Sequence, residues 1–243
     1  MTDSGGHWIS LFSGGKDSSF ALYRAVARGL SVSHLVTVHP QGDSYMYHVP
    51  ATELATLAAE SIGRPVIAVR PDDFEPDRTI DSSVQGDREV EPLEDALVSL
   101  DRDLDGGIDG LIVGAVESEF QRSRIESLCD RLECDLFAPL WHENPRELGE
   151  AMLEAGFEIV VVQVAAAGLD ESWLGRTLDR AALDELEALA ESYGVHPLGE
   201  GGEFETIVVD GPHMDRRIDI AYETTWDGTR GSIELTDASL AEE

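Results

Sequence analysis

A hexapeptide near the amino terminus, Ser13-Gly14-Gly15-Lys16-Asp17-Ser18, lies between a short apolar run and an amphipathic segment. The run His7–Phe12 reads as a buried strand and Ser18–Arg28 as a helix. A Gly-Gly turn in that setting lets the backbone bend tightly and approach a ligand. The helix that opens after it presents N–H groups and the positive end of its dipole to an anion. Successive amides in such a turn form a concave anion nest. Ser13 and Ser18 add hydroxyls, and Lys16 adds a compact ammonium suited to phosphate charge. Asp17 has two readings, a Mg²⁺ ligand or an acid favoured by the helix dipole. The spacing is neither the G-x4-G-K-[ST] of a Walker A loop nor the G-x-G-x-x-G of a dinucleotide fold. The segment reads as a phosphate-binding loop of another kind.

Beyond the loop, short apolar runs alternate with amphipathic stretches. Strands are expected at Val32–Val38, Pro65–Val69 and Ile108–Gly114, and helices at Thr52–Ile62, Glu91–Asp103 and Phe120–Leu132. This βαβα rhythm implies a parallel, doubly wound sheet. Asp72–Glu89 interrupts it with acidic residues, prolines nearby and no period, which predicts a surface loop, either a lid or a tolerated insertion. The pattern resumes after Trp141. A helix over Pro145–Ala155 has Asn144 as its N-cap, a strand follows at Phe157–Val164, and a helix at Ala181–Tyr193 ends before Gly194. Strands follow at Thr206–Val209 and Arg217–Tyr222, and the chain from about Thr236 is expected to fray. The organisation expected is a nucleotide-binding α/β domain over residues 1–141 and a smaller α+β domain over 142–243.

Composition narrows the function. The chain has 243 residues, with 49 Asp and Glu against 17 Lys and Arg, a formal charge of −32. Sixteen of those 17 are arginine; Lys16 is the one lysine. Acidic residues spread along the whole chain, with periodic apolar positions between them, point to a folded protein adapted to concentrated salt, where repulsion is screened within roughly 3 Å at 1 M. A halophilic origin of the charge removes it as a guide to partners. It still argues against a broad basic surface, so stable nucleic-acid binding is not expected. No apolar run reaches the ~20 residues of a membrane span. MTDSGGHWIS has no signal-peptide pattern, so the expected location is cytoplasmic. Cys129 and Cys134, five apart in a helical pattern, are too few for a zinc site and read as small, partly buried residues. His34, His39, His142, His196 and His213 show no metal-ligand spacing.

The loop resembles the SGGxDS signature of the PP-loop ATP pyrophosphatase class, which implies ATP, carried with Mg²⁺, as the ligand of Ser13–Ser18 and a fold of that class. Further segments are Asp43–Pro50, Gly114–Glu126, Phe137–Trp141, Ala165–Arg176 and Gly199–Thr206. Together and in this order, from about Ile9 to Ile220, they resemble the diphthine–ammonia ligase family. Where that family usually reads MFHTPN, this chain has Met46-Tyr47-His48-Val49-Pro50-Ala51, without the asparagine.

The resemblance implies an ATP-dependent ligase that amidates diphthine on translation elongation factor 2 with ammonium, releasing AMP and pyrophosphate through an acyl-adenylate. It implies Lys16, Asp17, Glu200 and Glu203 as catalytic residues. Substrate contacts would come from His48, Glu117, Gln121, Arg122, Ser123, Arg124 and Glu205. On residue chemistry alone, Glu200, Glu203 and Glu205 could hold ammonium, a metal or a trimethylammonium group, or form an acidic glycine-rich turn. Arg122 and Arg124 read equally as anion ligands or as a solvated helical turn. A tRNA-modifying PP-loop enzyme and a non-catalytic adenine-nucleotide sensor are the alternatives. The missing cysteine pairs and basic stripe count against tRNA thiolation. The salt reading predicts loss of structure on dilution of salt, so circular dichroism should change between molar salt and dilute buffer; an unchanged spectrum would contradict it.

Overall fold

The computed structural model describes residues 6–39, 54–70 and 82–242. It forms two compact units. One holds the described residues of Met1–Ser13, Asp17–Glu53 and Arg64–Trp141; the other holds Gly14–Lys16, Leu54–Gly63 and those of His142–Glu243.

The first unit is built on five parallel strands. In chain order these are β1 (Trp8–Leu11), β2 (Val32–Val38), β3 (Val66–Val69), β4 (Gly110–Ile112) and β5 (Asp135–Phe137), arranged β3-β2-β1-β4-β5. Winding runs outward from β1 to β3, then restarts on the other side at β4. The order therefore reverses between β1 and β4, the switch point beyond whose carboxyl ends such sheets bind ligands. The described helices are α1 (Lys16–Ala27), α2 (Ala55–Ile62), α3 (Ser82–Asp103) and α4 (Glu119–Leu132), α2 belonging to the second unit. Apolar side chains of α3 and α4, Leu93, Leu97, Ile125 and Leu128, pack with Ile9, Val36 and Leu111 of the strands into one buried cluster. Parallel strands covered on both faces read as near-continuous apolar runs, and β4 with residues 35–38 of β2 has that pattern.

The second unit carries α5 (Pro145–Glu154), β6 (Glu158–Val164), α6 (Arg180–Tyr193), β7 (Phe204–Asp210), β8 (Ile218–Trp226) and β9 (Gly231–Leu240). Its sheet is antiparallel, in the order β7-β6-β9-β8. Asn144 caps α5, its side chain accepting from the N–H groups of Arg146 and Glu147 at 3.0 and 3.1 Å. Gly194 closes α6 in the left-handed region, φ 71°. Arg146 ties α5 to α6, pairing with Glu150, Asp184 and Glu187. The fold class read from the sequence, a parallel α/β sheet followed by a smaller α+β part, is the one observed.

Three local expectations are corrected. The expected loop over 72–89 gives way to helix from Ser82, with Pro92 inside it. The buried residues from Val90 to Leu100 anchor the helix, and it propagates back through a stretch without apolar period; residues 71–81 lie outside the described residues. The tail does not fray at Thr236. β9 pairs with β8 as far as Leu240 opposite Ile218. Ile233 is buried, but most of its other side chains are exposed or half-exposed, so its far end is held by backbone pairing. Cys134 is past the end of α4, whose C-cap Glu133 is left-handed at φ 54°, and its N–H donates to the Cys129 carbonyl at 3.1 Å. Hydrogen bonding between the two thiols and burial push the Cys129 thiol up.

Candidate nucleotide site

The loop after β1 adopts a conformation only its sequence allows. Gly14 sits at φ 82°, in the left-handed region that a side chain would strain. The Ser13 N–H donates to Ser18 Oγ at 3.2 Å, and the two hydroxyls lie 3.1 Å apart, closing the turn over the start of α1. On the other side, a Cβ at Gly114 would come within 2.6 Å of the Asp17 carbonyl carbon and the Ser18 nitrogen. Glycine at the end of β4 thus lets that strand meet the first turn of α1 directly. This is how the carboxyl ends of β1 and β4 come together at the switch point.

Gly14, Gly15 and Lys16 belong to the second unit, and β7 holds them there. The Val208 N–H donates to the Gly14 carbonyl at 2.9 Å. The Lys16 N–H donates to Thr206 Oγ1 at 3.4 Å. The Lys16 ammonium lies 5.7 Å from the centroid of the Phe204 ring, and the residue is only 5% exposed. A buried lysine at the start of a helix, preceded by two glycines, is an arrangement suited to polyphosphate charge.

The expected substrate residues fall in two groups. In the first unit, Glu117 is exposed just before Ser118, the N-cap of α4, whose Oγ accepts from the Gln121 N–H at 3.3 Å. Arg122 pairs with Glu126 at 2.6 Å and lies 4.3 Å over the Trp141 ring. Arg124 folds onto Phe120, 3.7 Å over its ring, and donates to the Phe120 carbonyl, which also accepts from the Ser123 hydroxyl. Both arginines are thus oriented by aromatic and helical neighbours. His48 lies outside the described residues. Among the described residues no group of three or more His, Cys, Asp or Glu could hold a metal by itself.

In the second unit, the glycine-rich segment before β7 is a closed loop, and Glu203 closes it. Its carboxylate accepts from the His196 N–H at 3.0 Å and the Gly201 N–H at 2.8 Å. His196 does the converse: its Nδ1 accepts from the N–H groups of Leu198 and Glu200, at 3.1 and 3.3 Å, which puts the ring proton on Nε2. Glu205 follows on β7, between Phe204 and Thr206. Reading residues by type missed His196, Phe204 and Thr206. Phe204 and Thr206 carried a faint signal, their position in a strand that begins inside the glycine-rich motif; His196 carried none. His213 is stacked on Phe157 with ring centroids 5.0 Å apart, and burial pushes its imidazole down to about 4, so it stays neutral.

With this geometry in place, similarity to known proteins is informative. The diphthamide synthase N-terminal domain matches residues 6–135, and the diphthamide synthase C-terminal domain matches 144–241. A diphthine–ammonia ligase of Danio rerio is 36% identical over 225 residues, covering 86% of this chain and 84% of that one. Its counterpart in Homo sapiens is 34% identical over 220 residues, covering 86% and 80%. The chain belongs to the diphthamide synthase family. It is accordingly an enzyme, of the ligase class. The crystal structure of a "predicted subunit of tRNA methyltransferase" from Methanocaldococcus jannaschii overlays with a TM-score of 0.42 at 18% identity, over 85% of this chain and 98% of that one, a likeness too loose to bear on substrate. No described helix is long and apolar enough to cross a membrane.

In this diphthamide synthase family member, Glu203 closes the glycine-rich loop through its bonds to the His196 and Gly201 amides. Removing them in Glu203→Ala should cost about 1–3 kcal/mol of stability, read from urea denaturation. An unchanged midpoint together with lost activity would return Glu203 to catalysis.

Proposed function

We propose that the chain amidates diphthine on translation elongation factor 2, using ATP and ammonium and releasing diphthamide, AMP and pyrophosphate. The observation that carries this reading is the strand–Ser13–Ser18–helix loop with its buried lysine, in a chain of the diphthamide synthase family. Residues 1–141 are the ATP-binding domain and 142–243 the substrate-binding domain. The setting is the cytoplasm, in a cell whose salt screens the acidic surface.

In the first step a carboxylate oxygen of diphthine attacks the α-phosphorus of ATP. The α–β phosphoanhydride bond breaks, and pyrophosphate leaves from the acyl-adenylate. Ser13, Gly14, Gly15, Lys16 and Ser18 hold the β- and γ-phosphates, and Lys16 offsets charge as it accumulates on the leaving group. Asp17 is a hard oxygen donor in the first turn of α1. One carboxylate beside substrate phosphates is a normal Mg²⁺ environment, so the residues fit an ion carried in on ATP. When bound, Mg²⁺ supplies charge stabilisation at the phosphate oxygens.

In the second step ammonium gives a proton to a carboxylate, the resulting ammonia attacks the acyl carbon, and the second proton that the nitrogen sheds passes to solvent. The carbon–nitrogen bond forms, and AMP leaves with the electron pair of the acyl–oxygen bond. With Glu203 committed to the loop, we assign the proton to Glu200 or Glu205. The orienting contacts of Gln121, Arg122, Ser123 and Arg124, with Glu117 and His48, fall to the diphthine carboxylate and the nucleotide.

The reading is tested with ¹⁵N-ammonium, ATP and diphthine-bearing elongation factor 2 in high salt. The label should enter an amide on the factor, and Lys16→Ala should slow this about a hundredfold or more. Pyrophosphate release triggered by tRNA, with the factor left unlabelled, would overturn the substrate.

A further inference from the structure

β7 is an edge strand of the antiparallel sheet, and edge strands present unpaired backbone groups that need cover. Here the cover is the phosphate loop itself. The Val208 N–H meets the Gly14 carbonyl, and the two side chains next in register, at 206 and 204, are spaced to lie on one face of the strand. Thr206 is 4% exposed and Phe204 is 2% exposed, so both are core positions rather than surface ones.

The two residues hold opposite ends of Lys16. Thr206 Oγ1 accepts from its backbone N–H at 3.4 Å, a long hydrogen bond. The Phe204 ring faces its ammonium at 5.7 Å, inside the ~6 Å range of a cation–π contact. A lysine has a flexible four-carbon stem whose freedom is lost when it is pinned against a ligand. Restricting that freedom beforehand strengthens binding without adding a contact to the ligand.

We propose that Phe204 and Thr206 are positioning residues that pre-set the Lys16 ammonium for the polyphosphate of ATP. This rests on the reading of Ser13–Ser18 as the ATP site. Neither residue touches the nucleotide; both act through Lys16. The arrangement also explains why an aromatic and a hydroxyl residue follow the glycine-rich motif at alternate positions.

Because Lys16 is the one lysine, lysine labelled with ¹³C at Cε gives a single resonance from the whole protein, and that resonance reports the side chain directly. ATP with Mg²⁺ should shift it in the wild type. Phe204→Leu and Thr206→Val should each move it without nucleotide and weaken ATP binding about tenfold, while Phe204→Tyr and Thr206→Ser stay close to wild type. Wild-type ATP affinity in both Phe204→Leu and Thr206→Val overturns the proposal, whatever their melting temperatures. So does a loss in Thr206→Ser as large as in Thr206→Val. If Phe204→Leu does not fold, the isosteric Thr206→Val against Thr206→Ser decides. A wild-type resonance that ATP leaves unmoved overturns the loop reading and this inference with it. ATP that shifts it in the wild type and binds every variant equally overturns the inference alone.

Discussion

The Gly14 carbonyl and the Val208 N–H, 2.9 Å apart, fasten the turn after β1 to a strand from the far end of the chain. Much else depends on that bond. With Gly14 at φ 82°, the chain reverses at the end of the strand and starts a helix within two residues. Residues 14–16 count with the second compact unit, whereas Ser13 and Asp17 count with the first. The chain therefore leaves one unit and re-enters it within six residues. The turn at residues 14–16 takes its shape from β7 as well as from its own glycines.

The parallel sheet was legible where its strands carry buried, near-continuous apolar runs, as at residues 35–38 of β2 and 111–112 of β4. The helices with apolar stripes, such as Glu91–Asp103 with Leu93 and Leu97, were legible for the related reason of period. What failed was structure held by backbone pairing alone. Beyond Leu235, β9 is mostly exposed, and its register with β8 comes from the hairpin. β5 spans three residues, too few for any period, and owes its place to β4. The amino-terminal part of α3 is extended from a buried half that the sequence did mark.

The site shows the same division. The strand end, glycine turn and helix start around Ser13–Ser18 were legible because they are a local device encoded in consecutive residues. The roles of Glu203, Phe204 and Thr206 are not local. The family resemblance implied a catalytic role for Glu203, and its oxygens meet the amides of His196 and Gly201. Phe204 and Thr206 acquire meaning only where Lys16 lies against them. The acidity of the chain is equally a matter of partners: Arg131 grips Glu94 with two bonds of 2.7 and 2.6 Å and holds its carboxyl below the usual range, and Arg176 does the same to Glu185. Such exposed pairs add little stability each, about 0–1 kcal/mol. The buried clusters on the two sheets must carry the fold.

The central claim is that Ser13–Ser18 hold the pyrophosphate end of ATP, so that the nucleotide is cut between its α- and β-phosphates. ATP labelled at the α-phosphate, turned over with ammonium and diphthine-bearing elongation factor 2, tests it most directly. The account predicts labelled AMP, with pyrophosphate formed in equal amount and little ADP. Labelled ADP as the main product would place the cut at the γ-phosphate and contradict it.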